Sequence, residues 1–119
     1  MAFSFEDLQV YQKALDFSVA VINAIDDFET PRRHYRLIEQ LESACTSVPM
    51  NISEGKGRFS KKEFKHHLFI SRGSLYETVT MLQIFQKKAW LKKEKYDIFY
   101  RDAEEINKML SGLVNSISS

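Results

Sequence analysis

The sequence predicts an all-α protein, folded as an antiparallel up-down-up-down four-helix bundle. Proline and glycine together number only six in 119 residues, two Pro and four Gly, so few points exist at which a helix must stop. Hydrophobic residues make up 44% of the chain and charged residues 28%, enough to fill one core and to solvate its outside. Apolar residues recur in alternating steps of three and four along four separate stretches, the signature of amphipathic helices. Short connections between these stretches set successive helices side by side and antiparallel. A chain of this length is expected to be one domain over residues 1–119.

The elements follow in order. The first helix is predicted from about Phe5 to Asp26, with Ser4 as N-cap and Glu6 and Asp7 favourable in its first turn. It carries two apolar stripes. Leu8, Tyr11, Leu15, Ser18, Ile22 and Ile25 form one, and Val10, Ala14, Phe17, Val21, Ala24 and Phe28 the other. A helix of an isolated bundle needs one apolar face, so two stripes predict a homo-oligomer. Val10, Phe17, Val21 and Phe28 are the candidate subunit interface.

Thr30-Pro31 is a cap and first-turn pair for a second helix ending near Glu54. Its core stripe is Ile38, Leu41, Cys45, Val48 and Ile52. Pro49 removes a backbone donor and predicts a bend near Cys45–Pro49. Gly55 is placed to end the helix in a left-handed cap. Ser60-Lys-Lys-Glu63 is a capping box that starts the third helix, expected to run to about Lys88. Phe64, Leu68, Leu75, Val79, Leu82 and Phe85 face inward, and Gly73 predicts close approach of a neighbouring helix. After a turn at Ala89-Trp90-Leu91-Lys92, the fourth helix is expected from Lys93 to Ser116. Its stripe is Tyr96, Phe99, Ala103, Ile106, Leu110, Leu113 and Ile117.

Charge is distributed unevenly. The net is +1, but residues 1–30 hold six acids against Lys13, a local net of −5. Residues 55–95 hold eleven Lys or Arg against Glu63, Glu77 and Glu94, a local net of +8. Such a split predicts an anionic partner for the basic part, or pairing between the two parts. One cysteine, Cys45, excludes an internal disulfide and suits a reducing compartment. No apolar run reaches the length of a membrane span, and the first residues are acidic, unlike a signal peptide. The expected location is the cytoplasm, with no membrane contact.

No catalytic set emerges. Glu63 and His66 have the Glu-x-x-His spacing of di-iron bundles, but only one copy exists, and it lies at a lysine-rich helix start. His34 stands beside Arg32, Arg33 and Arg36 without companion ligands. No metal site and no cofactor are expected, and the chain is read as non-enzymatic. Asn51, Ser53, Glu54, Arg72, Ser74 and Glu77 form a possible polar constellation, favoured as a structural or interface network. Arg72 and Glu77 lie several turns from the Gly55 corner, so they meet Glu54 only across a subunit boundary or through another arrangement. Asn51-Ile-Ser53 matches a glycosylation acceptor without a secretion signal beside it.

Gly55-Lys-Gly-Arg58 is not a nucleotide triphosphate loop, because the Gly-x-x-x-x-Gly-Lys-Ser/Thr pattern is missing. It can still hold a phosphate, since glycines expose backbone N–H groups and a helix N-terminus follows. Lys56, Arg58, Lys61, Lys62 and Lys65 surround it and are the candidate nucleic-acid contacts. The alternative is a solubilising lysine cover. Lys87, Lys88, Lys92, Lys93 and Lys95 form a second basic group roughly 35–40 Å away by helix rise.

Val48-Pro-Met-Asn-Ile-Ser-Glu-Gly-Lys-Gly-Arg58 resembles a bacterial four-helix bundle family. Its members were first noted as proteins encoded in intervening sequences of large-subunit ribosomal RNA genes, and are often labelled ribosomal proteins. The resemblance extends to Phe5-Glu-Asp-Leu8, Val10-Tyr-Gln-Lys13, Gln40-Leu41 with Ala44, Ser60-Lys-Lys-Glu-Phe64 and Gly73-Ser-Leu-Tyr-Glu77. It spans about residues 3–91. The family implies a homo-oligomeric ring, commonly a pentamer. It is similar to the accessory variability protein of diversity-generating retroelements, a basic pentamer that binds nucleic acid and the reverse transcriptase. By that resemblance Lys56, Arg58, Lys61 and Lys65 are candidate RNA or DNA contacts, and a nucleic-acid-processing protein is a candidate partner. Ala89 stands where the family usually has glycine, which implies strain in the third turn. The near-neutral net charge also departs from the more basic relative.

The reading is therefore a homo-oligomeric bundle that binds RNA or DNA, or a nucleic-acid-processing partner, through a basic rim. The alternative is a protein-interaction scaffold without nucleic-acid binding, in which the basic third helix pairs with a neighbour's acidic first helix.

Overall fold

Helices form where the apolar steps of three and four run. The computed structural model describes residues 2–31 and 34–117. It contains a short 3-10 turn at Ser4–Asp7, then α1 (Gln9–Ile25), α2 (Tyr35–Lys56), α3 (Lys61–Lys87) and α4 (Lys93–Ser116). No strand occurs among the described residues. Each helix packs against two others, α1 and α3 both lying between α2 and α4. The result is an elongated four-helix body of 46 × 24 × 22 Å.

The first helix begins later than its sequence suggests. Leu8 is extended, with ψ 121°, and separates the 3-10 turn from α1. The turn has its own fastenings. Glu6 Oε1 accepts from the Phe3 N–H at 3.0 Å, and the Gln12 amide donates to the Glu6 carbonyl at 2.8 Å. Phe5 packs edge-on against Tyr11 with ring centres 4.9 Å apart. These contacts hold the acidic turn against α1 in place of another helical turn.

The two stripes of α1 have different fates. Val10, Phe17 and Val21, expected at a subunit interface, are 5%, 2% and 0% exposed. They belong to the protomer's own core, with Phe17 edge-on to Phe99 at 6.2 Å. Phe28 is partly buried and packs edge-on against Phe85 at 5.4 Å. The assignment of Val10, Phe17 and Val21 to an oligomer contact is thereby corrected, while Phe28 keeps part of its surface open. In the other stripe Ser18 is buried, Ile22 and Ile25 are partly buried, and Leu15 is exposed, as is the neighbouring Val19.

The described part of α2 starts at Tyr35, with His34 at its N-cap. The start expected at Thr30-Pro31 runs into Arg32 and Arg33, which lie outside the described residues. The helix continues through a buried Pro49 to Lys56. Gly55 does not form a left-handed cap. It is helical and buried, and the cap residue is Gly57 with φ −80°. A Cβ on Gly55 would stand 2.5 Å from His67 Cβ, so glycine is needed here for close approach of α3. Gly73, expected to serve that purpose, faces open space.

Ser60 caps α3 as its pattern predicts. Its Oγ accepts from the Glu63 N–H at 3.1 Å and donates to Glu63 Oε1 at 3.1 Å. The far end of α3 closes through two crossed backbone bonds, Ala89 N–H to Gln86 O at 3.0 Å and Trp90 N–H to Phe85 O at 2.9 Å. This is a Schellman closure, which requires a left-handed residue in the turn. Ala89 supplies it with φ 60°, so the strain implied by a missing glycine is present. Trp90 packs back on Phe85 at 5.6 Å, the apolar contact that accompanies this closure. The fourth helix occupies its expected span, burying Phe99, Ala103, Ile106 and Leu110.

Candidate nucleic-acid interface

The corner between α2 and α3 is fixed by a polar seam as well as by apolar packing. Ser71 Oγ donates to the Val48 carbonyl at 2.8 Å, a buried bond that replaces solvent for that hydroxyl. Ser74 Oγ donates to Ser47 Oγ at 2.8 Å. Asn51 donates to the carbonyl and hydroxyl of Ser47, both at 2.9 Å, and its Oδ1 meets His67 Nδ1 at 3.1 Å. Later residues of α2 thus meet earlier residues of α3, so this pair runs antiparallel. Small residues at the contact allow the approach, and Gly55 closes it at the corner.

The seam accounts for only part of the expected polar constellation. Asn51 and Ser74 join it, through Ser47 rather than directly. Glu54 pairs with Arg58 one turn later at 2.6 Å. The Arg72 guanidinium lies over the Phe69 ring at 5.1 Å, and Glu77 is exposed. Glu63 is taken up by the Ser60 cap, so it is not paired with His66 as a ligand set. Among the described residues no group of three or more His, Cys, Asp or Glu side chains is placed to hold a metal ion.

The five candidate cations gather on this corner. Lys56 is exposed at the end of α2, its ammonium 5.7 Å from the Phe64 ring centre. Arg58 is exposed in the connecting turn, and its solvated pair with Glu54 is of a kind worth ~0.2–1 kcal/mol. An incoming phosphate can therefore compete for it. Lys61 and Lys62 are exposed in the first turn of α3, and Lys65 follows one turn on, partly buried. Lys62 and Lys65 make no ion pair with a described residue. Lys61, Lys62, Lys65, His66 and Phe69 line a surface depression of about 520 Å³.

The second basic group lies at the other end of α3, about 39 Å away by helix rise. There Lys93 bridges to Asp97 at 3.2 Å, Lys88 lies over Trp90 at 5.6 Å, and Lys95 over Phe99 at 5.7 Å.

Two aromatic residues at the corner were not singled out by sequence. Phe59 is fully exposed in the turn, and Phe69 is 47% exposed on α3. Their signal was available. Phe69 falls outside the inward series Phe64, Leu68, Leu75, and Phe59 sits in a loop where no helical period requires it. No helix among the described residues is long and apolar enough to cross a membrane.

Comparison with known proteins agrees with this fold. The chain is similar to a crystal structure of a protein of unknown function from the S23 ribosomal protein family of Bacteroides thetaiotaomicron. The likeness has a TM-score of 0.83 at 25% identity and covers 90% of this chain and 96% of that one. No curated protein matches the chain in sequence. The family model for the 23S rRNA-intervening sequence protein matches residues 6–112, nearly the whole of the four helices. The chain belongs to the 23S rRNA-intervening sequence protein family.

Proposed function

We propose that this protein is a non-enzymatic, homo-oligomeric bundle that binds RNA or DNA, or a nucleic-acid-processing protein, through the basic α2–α3 corner. The observation that carries the reading is the gathering of Lys56, Arg58, Lys61, Lys62 and Lys65 on one rigid corner, with most of their charge facing solvent. Clustered cations of this kind gain affinity for a polyanion by releasing its counterions. The helices follow an up-down-up-down course, and copies assemble as a ring of five, as the family resemblance implies. The single, buried, reduced cysteine suits a cytoplasmic setting.

The surface shared between copies is not the core stripe of α1. Two other features support assembly. Leu15 and Val19 are exposed on α1, and Tyr76, Val79, Thr80 and Tyr100 line a groove of about 280 Å³ between α3 and α4. Asn107 Oδ1 is buried beside that groove without a hydrogen-bond partner among the described residues.

Light scattering combined with filter binding of structured RNA tests the proposal. The expected outcome is a multiple of the 13.9 kDa chain mass that retains RNA at low salt. A monomer that retains none would overturn it.

A second reading, a scaffold that binds no nucleic acid, draws on the exposed acids Asp16, Asp26, Asp27 and Glu29 at α1 and the turn after it. In that case Lys61→Glu with Lys65→Glu breaks up the oligomer and leaves no RNA affinity to lose.

A further inference from the structure

We propose that the basic corner takes unpaired, single-stranded nucleic acid, with bases stacked on Phe69 and Phe59 and the backbone held by Lys61, Lys62 and Lys65. The inference rests on the reading above and narrows it to a substrate class. A lysine cluster alone has no preference between a duplex and a single strand, because both present phosphates. Exposed aromatic rings among those lysines do discriminate. A duplex hides the faces of its bases, whereas a single strand offers a π-face at every nucleotide.

Three features of the corner fit that chemistry. Phe69 lines the 520 Å³ depression together with Lys61, Lys62, Lys65 and His66, so a flat ring entering it meets an aromatic wall and lysine stems at once. The depression's walls are mostly apolar, which suits a base more than a hydrated ion. The Phe69 ring also has the Arg72 guanidinium over it at 5.1 Å, a contact that restrains the ring and extends the positive charge along α3. Phe59 stands fully in solvent just before the Ser60 cap. From Lys61 to Phe69 the helix rises about 12 Å, so the two rings bracket the lysine cluster. A backbone tracked along those lysines can place separate bases on the two rings.

Phe59 has no packing reason within the chain to be there. A large apolar side chain as open as Phe59 contributes nothing to the core and lowers solubility.

The test uses the full chain and fluorescence anisotropy with a labelled mixed-sequence RNA strand of about 16 nucleotides, its perfect duplex, and polyglutamate as a non-nucleic polyanion. The single strand is expected to bind several-fold more tightly than either competitor. Phe69→Leu and Phe59→Ser are each expected to weaken single-strand binding by about fivefold or more. Duplex binding should be unchanged in both, and Phe59→Ser should leave the melting temperature unchanged, since that ring stands fully in solvent. Equal binding of strand and duplex, with both aromatic variants neutral, would overturn the inference and leave the wider nucleic-acid reading standing. Polyglutamate bound as tightly as the strand would overturn it in favour of an acidic protein partner. Absence of binding to any of the three at low salt would overturn both readings together.

Discussion

Gly55 and Ala89 show how single backbone positions set this fold, in opposite senses. Gly55 lets α3 approach until His67 Cβ lies 2.5 Å from where a side chain would begin. Gly55→Ala is expected to lower stability by about 1–3 kcal/mol in urea unfolding, because two backbone segments must separate. Ala89 carries the strain that a glycine would remove, with φ 60° in the Schellman turn. Ala89→Gly is expected to raise stability by about 1 kcal/mol in the same measurement. Burial, opposed in part by its contact with Ser18, raises the pKa of the Cys45 thiol. The neutral thiol is thus favoured in the folded state. Its contribution to stability is full below the unfolded thiol pKa and is lost as pH climbs through the raised folded value. The native protein should resist a thiol reagent at neutral pH and react after unfolding in urea, and the alkaline loss of stability should shrink in Cys45→Ala. Ala89 was legible from the missing glycine. Gly55 was legible as important but assigned the wrong role, because a sequence shows a glycine without showing what stands opposite.

At the scale of elements, periodicity placed the bodies of the helices, and of the proposed caps Ser60 fixed a start while Ser4 did not. Ser60 and Glu63 fixed the start of α3, and α4 fills its expected span. The first helix was harder. Its two stripes share the same spacing, so sequence alone could not say which faces the core. The structure buries Val10, Phe17 and Val21 and leaves Leu15 and Val19 open. The seam joining α2 to α3 was half legible. Ser74 stood out within the polar constellation, but the acceptors of Ser71 and Ser74, Val48 O and Ser47 Oγ, come from a partner helix whose register the sequence does not print. Ser71→Ala is expected to cost about 1 kcal/mol by chemical denaturation. Because α2 and α3 carry the candidate cations between them, a loosened seam should also weaken RNA retention, whereas Ala89→Gly should not change it.

Across the whole molecule, charge is unevenly placed, and the acids of the turn after α1 lie beside the basic group at the far end of α3. Acidic residues gather on α1 and the turn after it, and basic ones at the ends of α3, in a body 46 Å long. The near-neutral total conceals this, which is why the local balance carries more information than the net charge. The fold class followed from breakers and periodicity. The candidate site was read as a set of cations, and the aromatic rings among them, though they break the inward series, drew notice only once their exposure was known.

The most direct test of the account is the salt dependence of RNA strand binding, compared between the wild-type protein and the Lys62→Gln, Lys65→Gln double variant. The account predicts that log K falls linearly with log salt for the wild type. It predicts a shallower slope for the variant, by about 1.4 for two lost phosphate contacts. Identical slopes for the two proteins, or binding indifferent to salt, would contradict it.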